Sequence, residues 1–86
     1  MKIKNLYKDY AAASRACNKA YSEWEREPNN STVESAYDKA YEAEHKSFVA
    51  LCNEIMRLTG CTGSTARIMV IQKRQEIESM ISRLEG

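Results

Sequence analysis

Apolar and small residues recur near the start of the chain at alternating spacings of three and four, and this pattern restricts the fold more than any other feature. Such alternation is a heptad repeat, which places one continuous stripe along an amphipathic helix. The segment is therefore predicted to be a long helix that packs against a helical neighbour. The stripe consists of Ile3, Leu6, Tyr10, Ala13, Cys17, Ala20 and Trp24.

Residues that favour turns are confined to two places and to the last position. The only proline is Pro28, and the three glycines are Gly60, Gly63 and Gly86. Because proline and glycine are the strongest local signals for turns, these positions predict two breaks between three long segments. The predicted helices are about 3–26, 32–58 and 64–84.

The second predicted helix opens on a capping box. Ser31 is followed three positions later by Glu34, so the serine is expected to cap the helix while the glutamate reaches back to it. Alanines border the apolar stripe of this helix and allow helix 1 to approach closely. The stripe consists of Tyr37, Tyr41, Glu44, Phe48, Leu51, Ile55 and Leu58.

The three segments are of similar length, which favours one all-α domain over residues 1–86. Short connections join antiparallel neighbours. We therefore expect an elongated antiparallel three-helix bundle with up-down-up order, in which helices 1 and 2 form a long hairpin and helix 3 packs along it. The expected buried face of helix 3 contains Val70, Ile77, Ile81 and Leu84.

Four consecutive apolar residues, Ile68 to Ile71, extend most of the way around one turn of helix 3. One neighbour cannot bury all four, because successive residues are about 100° apart on a helix. A second contact surface is therefore predicted. It is either the groove between helices 1 and 2 or an interface with a partner, including a homodimer formed through helix 3.

Composition excludes several classes of protein. Apolar residues make up 43% and charged residues 29% of the chain, which excludes a disordered or fibrous protein. Cys17, Cys52 and Cys61 have no metal-ligand spacing, and His45 stands alone as a solvated residue. Cys17 and Cys52 read as core residues, whereas Cys61 is expected to be reactive. No metal, cofactor, catalytic residue or membrane span is expected, and a cytoplasmic location is predicted.

Charges are strongly segregated although the net charge is only +1. In an up-down-up bundle, one end becomes basic and the other acidic. The predicted basic pole contains Lys2, Lys4, Lys8, Arg57, Arg67, Lys73 and Arg74. The predicted acidic pole contains Glu23, Glu25, Glu27, Glu34, Asp38, Glu78 and Glu85.

Two kinds of function are compatible with this layout. A small helical bundle without a cleft favours a non-enzymatic protein-interaction or regulatory module, which acts by occlusion or scaffolding. The alternative is a small nucleic-acid-binding protein that contacts phosphates through the basic pole, such as a phage or mobile-element regulator. Any exposed tyrosine is a further interface candidate. The residues predicted to bind the partner are Arg57, Arg67, Lys73, Arg74, Met69 and Tyr7.

The connection from Thr59 to Thr65 combines glycines, hydroxyl groups and a helix start, which are the components of an anion site. Its spacing does not match a phosphate-binding loop. An ordinary turn followed by a helix cap is the favoured interpretation.

Overall fold

A computed structural model describes residues 2–85 as four helices and no strands, so the predicted all-α class is confirmed. The first two helices match the predicted hairpin partners. The predicted third helix is instead two helices that are separated at one residue. The helices are α1 (Lys2–Arg26), α2 (Ser31–Thr59), α3 (Gly63–Gln72) and α4 (Arg74–Glu85).

The break between α3 and α4 lies at Lys73, whose backbone leaves the helical region with φ −128° and ψ 48°. The Lys73 N–H still donates to the carbonyl of Met69, at 3.0 Å, so α3 ends with its last hydrogen bond made. Neither glycine nor proline occurs at this point. The break instead returns Ile77 and Ile81 to the same apolar core as Val70, and tertiary burial of this kind commonly overrides local propensity.

Contacts between side chains define the direction of each helix. Tyr10 packs against Phe48 at a ring separation of 5.9 Å, and Tyr21 packs against Tyr37 at 5.6 Å, so α1 and α2 are antiparallel. The third helix runs back along α2. The fourth runs antiparallel to α1, because Arg74 lies over the Tyr10 ring near the start of α4 and Glu85 bonds to Lys4 near its end.

The molecule measures 47 × 24 × 19 Å. At one end of it, a core cluster joins all four helices. It contains no side chain between Tyr10 and Phe48 among the described residues. The remainder of the α1–α2 hairpin, residues 11–47, therefore extends beyond the core as a two-helix projection, here named the arm. The buried members of the core cluster are Ile3, Tyr10, Leu51, Cys52, Ile55, Ala66, Met69, Val70, Ile77 and Ile81.

Two details of the predicted helices differ in the structure. Asn30, rather than Ser31, is the N-cap of α2, since its side chain accepts hydrogen bonds from the backbone N–H groups of Thr32 and Val33. Asparagine is as favourable as serine at an N-cap, so α2 begins with a cap one residue upstream of the predicted one. At the other end of α2, Gly60 adopts φ 72°, the left-handed conformation that commonly terminates a helix.

The stripe of α1 is buried or half-buried along its whole length, as predicted. The stripes of the later helices are incomplete. Tyr41 is 58% exposed, Leu58 is 37% exposed and Leu84 is 51% exposed. Tyr41 is largely exposed because α3 ends at Gln72, beside Tyr41, and does not continue along the arm.

Candidate functional site

Arg57, a predicted partner-binding residue, bonds to a buried carboxylate of its own helix. Its Nε donates to Oε1 of Glu54, and its Nη2 donates to Oε2 at 3.1 Å. Glu54 is 3% exposed and is the only buried charged residue among residues 2–85. Because this bidentate pair satisfies the buried carboxylate of Glu54, Arg57 has a structural role beside the predicted one in partner binding.

The pair predicts a specific response to acid. Arg57 lowers the pKa of Glu54 by hydrogen bonding, against the opposing effect of burial. A carboxyl group whose pKa is lower in the folded than in the unfolded chain stabilises the folded state at pH values above its unfolded pKa. This stabilisation is lost as pH falls through the lowered pKa of the folded state. We expect Arg57→Gln to reduce the free energy of unfolding at pH 7. At pH 3, the difference in the free energy of unfolding between wild type and variant should be smaller. Urea denaturation at pH 7 and at pH 3 measures this difference.

The matched control for this prediction is Arg83→Gln. Arg83 is exposed on α4 and forms none of the ion pairs within residues 2–85. Its replacement should change the free energy of unfolding by no more than about 0.5 kcal/mol at either pH. A gap for Arg57→Gln that is equal at pH 7 and pH 3 would contradict the role given to Glu54.

The acidic residues of α4 lie at the end that the sequence predicts to be basic. Glu85 bonds to Lys4, with Oε1 2.6 Å from Nζ, and Glu78 accepts a 2.9 Å hydrogen bond from the Tyr7 hydroxyl. The prediction that Glu78 and Glu85 join the acidic pole is therefore wrong. The break at Lys73 reverses the direction of α4 and carries both carboxylates back to the start of α1.

The other predicted basic residues do not form one cluster. Lys73 lies 4.0 Å from Glu76 at the corner between α3 and α4, and Arg74 lies 5.3 Å from the Tyr10 ring centre, a cation–π contact. Arg67 lines a separate apolar groove between α2 and α3. The structure therefore distributes the predicted basic pole over three places.

The apolar turn of α3 is only half-buried, which confirms that one neighbour cannot cover it. Met69 is 9% exposed and Val70 is fully buried, whereas Ile68 is 46% and Ile71 is 63% exposed. Met69, which was predicted as a contact residue, packs into the core and offers little exposed surface. Ile68 lies about 160° around the helix from Val70, and this spacing was the available signal for its exposure.

The structure brings four aromatic side chains of the arm into one continuous array. Tyr37 contacts Tyr21 at 5.6 Å, Trp24 at 6.1 Å and Tyr41 at 6.3 Å between ring centres. Tyr41 also shares a surface pocket with Ile71 at the end of α3. This array, named the aromatic row, begins at the edge of the core and runs toward the tip of the arm. Its members are Tyr21, Trp24, Tyr37 and Tyr41.

The aromatic row is partly open to solvent and belongs to the most acidic part of the chain. Tyr21 is 43% and Tyr41 is 58% exposed. Residues 22–44 contain seven acidic and two basic residues, whereas the rest of the chain contains five acidic and eleven basic residues. The whole arm contains seven acidic and five basic residues, so it combines apolar contact area with a net charge of −2.

Sequence reasoning recognised these tyrosines as interface candidates only if exposed, and it did not select them. Four aromatic residues between positions 21 and 41, in or directly before the acidic segment 22–44, were the signal that could have identified the row. Their exposure depends on the length of α3, which ends at Gln72.

The connection between α2 and α3 uses its polar groups locally. The Thr59 hydroxyl donates to the carbonyl of Ile55 at 2.7 Å, and the Thr62 hydroxyl oxygen accepts from the Thr65 N–H at 3.2 Å as the N-cap of α3. These contacts are those of a turn and a helix cap, which is the interpretation favoured from sequence.

Cysteine burial follows the prediction. Cys17 and Cys52 are buried, and burial raises the pKa of each thiol, while Cys61 is half-buried. Within residues 2–85, no group of three or more metal-ligating side chains is close enough to hold a metal ion. None of the described helices combines the length and apolar character needed to cross a membrane.

Comparison of the chain with protein-family models, with curated proteins and with solved structures gives no match.

Proposed function

We propose that this protein is a non-enzymatic protein-interaction module that binds its partner through the aromatic row of the arm. The observation that carries the proposal is the partial exposure of Tyr21 and Tyr41 within an array whose other rings are half-buried. The protein would act by occlusion or scaffolding, as its small helical fold suggests.

The chemistry of the row supports this proposal. Tyrosine and tryptophan dominate binding energy at protein interfaces, since they supply a large contact area for few rotatable bonds. Here Tyr37 stands between three other rings, at 5.6 to 6.3 Å, so its orientation is set before a partner arrives. Preorganisation of this kind lowers the entropy lost on binding.

Ile71 extends the contact surface from the row onto α3. Its side chain is 63% exposed and lies beside Tyr41 and His45. An apolar centre with a charged rim is the usual anatomy of a protein interface. The carboxylates of residues 22–44 supply such a rim and favour a partner with basic residues.

Site-specific photocrosslinking tests the proposal. A photoreactive amino acid at Tyr41 or Tyr21, expressed in cells of the natural source, should give discrete adducts with a protein. Ser35 is the matched control, because it is exposed on the same helix and lies about 120° around it from Tyr41. Absence of adducts at both tyrosines, or equal yields at Ser35 and Tyr41, would overturn the proposal.

Nucleic-acid binding is a second candidate function, favoured by a row of exposed basic residues on α1. Lys8, Arg15 and Lys19 are spaced by seven and four, so they share one helix face, and none forms an ion pair with residues 2–85. Phosphate contacts by this row would be strongly salt-dependent. Binding of labelled duplex or single-stranded nucleic acid at low salt, lost in the Lys8→Gln/Arg15→Gln variant, would establish this function.

A further inference from the structure

We infer that the partner of the aromatic row is a second copy of this chain, in an antiparallel dimer that packs the two arms face to face. The inference rests on the proposed function, because it assigns an occupant to the surface proposed there. Three properties of the described residues carry it: an uncovered face, its position beside the α3–α4 hairpin, and the distribution of charge.

The uncovered face continues a face that is covered nearer the core. The core cluster that joins the α3–α4 hairpin to the α1–α2 hairpin extends only as far as Tyr10 and Phe48. Beyond α3, Ile71 is followed by Tyr41, and Tyr41 by the rest of the aromatic row. Two helices alone provide little burial, whereas four helices in cross-section form a stable core. A second arm laid on the row would supply the two missing helices.

The α3–α4 corner determines how a second arm can lie. This corner, Lys73 and Arg74, is level with Tyr10, since Arg74 lies over that ring. From Tyr10 to Arg26, α1 continues for 16 residues, about 24 Å at 1.5 Å per residue. An antiparallel second arm of the same length therefore places its tip against the corner.

Charge favours this antiparallel arrangement over a parallel one. The corner is net basic, since Lys73 and Arg74 outnumber Glu76. The tip of the arm is net acidic, since its three glutamates outnumber Arg26; the glutamates are Glu23, Glu25 and Glu27. Antiparallel packing brings each acidic tip onto the basic corner of the other copy, and two-fold symmetry makes both contacts identical. Parallel packing would place the two acidic tips together, and such repulsion selects against it.

Two complementary charge-reversal variants make the experiment selective. Variant one carries Lys73→Glu and Arg74→Glu, and variant two carries Glu23→Lys and Glu27→Lys. Each variant alone places like charges at both tip–corner contacts of its homodimer. A mixture of the two variants restores attraction at both contacts of the heterodimer.

Sedimentation equilibrium of the purified chain at low and high salt is the measurement. We expect a reversible dimer whose Kd rises with salt and rises about tenfold or more in each variant alone. The equimolar mixture should recover a dimer of near wild-type affinity. Tyr41→Ala should also weaken the dimer, while Ser35→Ala, a control on the other face of the arm, should leave its Kd unchanged. Circular dichroism verifies that each variant retains its helices.

Two outcomes would contradict the antiparallel dimer. The inference fails if the purified chain stays monomeric at high concentration and low salt, or if the mixture shows no gain over the separate variants. In that case, Tyr41 adducts with a different protein would still support the proposed function. Absence of both the dimer and the adducts would remove the proposed function as well.

Discussion

Truncation of Ile77 to alanine should lower the free energy of unfolding by about 2–5 kcal/mol, one of the two largest effects expected in this molecule. Ile77 is fully buried and connects α4 to the core cluster, which includes Ile3, Leu51 and Ile55. Truncation of its side chain leaves a cavity in the core cluster, where all four helices meet. In a chain of 86 residues, that loss is a large part of the total stability.

Leu84→Ala is the matched control, because Leu84 lies on the same helix but is 51% exposed. It should change the free energy of unfolding by about 0.5 kcal/mol or less. Urea denaturation followed by circular dichroism measures both variants. Equal effects at the two positions would show that α4 does not pack on the core through Ile77.

The α1–α2 hairpin could be predicted because residues close together in the sequence specify its helices and its turn. The heptad spacing of Ile3 to Trp24 specifies one buried face, and Pro28 with Asn30 marks the turn. The break at Lys73 could not be predicted from the same kind of pattern. Val70, Ile77 and Ile81 share one face whether the helix is straight or folded back, so their spacing does not distinguish the two arrangements.

This one break decides the electrostatics as well as the fold. A straight helix 3 would place Glu78 and Glu85 beside the tip of the arm, whereas the observed α4 places Glu85 on Lys4. The end of the molecule at which a charged residue lies depends on the direction of its helix. The order of charges along the sequence does not specify that direction. The acidic character of residues 22–44 does not depend on the direction of α4, because these residues belong to α1, α2 and the turn between them.

The candidate site depends on the same break. Tyr37 and Tyr41 are four residues apart on α2, so one straight helix continuing from Ile71 would have covered both. Because α3 ends at Gln72, the aromatic row is left open and becomes the best candidate for binding. The tyrosine content of the arm could be predicted, but its exposure follows from the length of α3.

Replacement of Trp24 by alanine should open the arm locally while the core stays folded. Trp24 stacks on Tyr37 at 6.1 Å and 26°, and lies 6.0 Å from Tyr21. Since the core cluster contributes no side chain between Tyr10 and Phe48, these rings are the main apolar contacts at the distal end. We expect backbone amide exchange in the arm to accelerate about 10- to 100-fold, while exchange near Ile55 and Ile77 is unchanged.

Hydrogen–deuterium exchange with mass spectrometry, at a concentration where the chain is monomeric, makes this measurement. Trp24→Phe is the control, because it keeps a ring against Tyr37 and should accelerate exchange less than Trp24→Ala does. Equal acceleration in α3 and α4 would contradict the separation of arm and core, since it would show that they open as one cooperative unit. Local opening alone has a functional consequence: a partner that covers the aromatic row would also order the least stable part of the molecule, so binding and folding of the arm would be coupled.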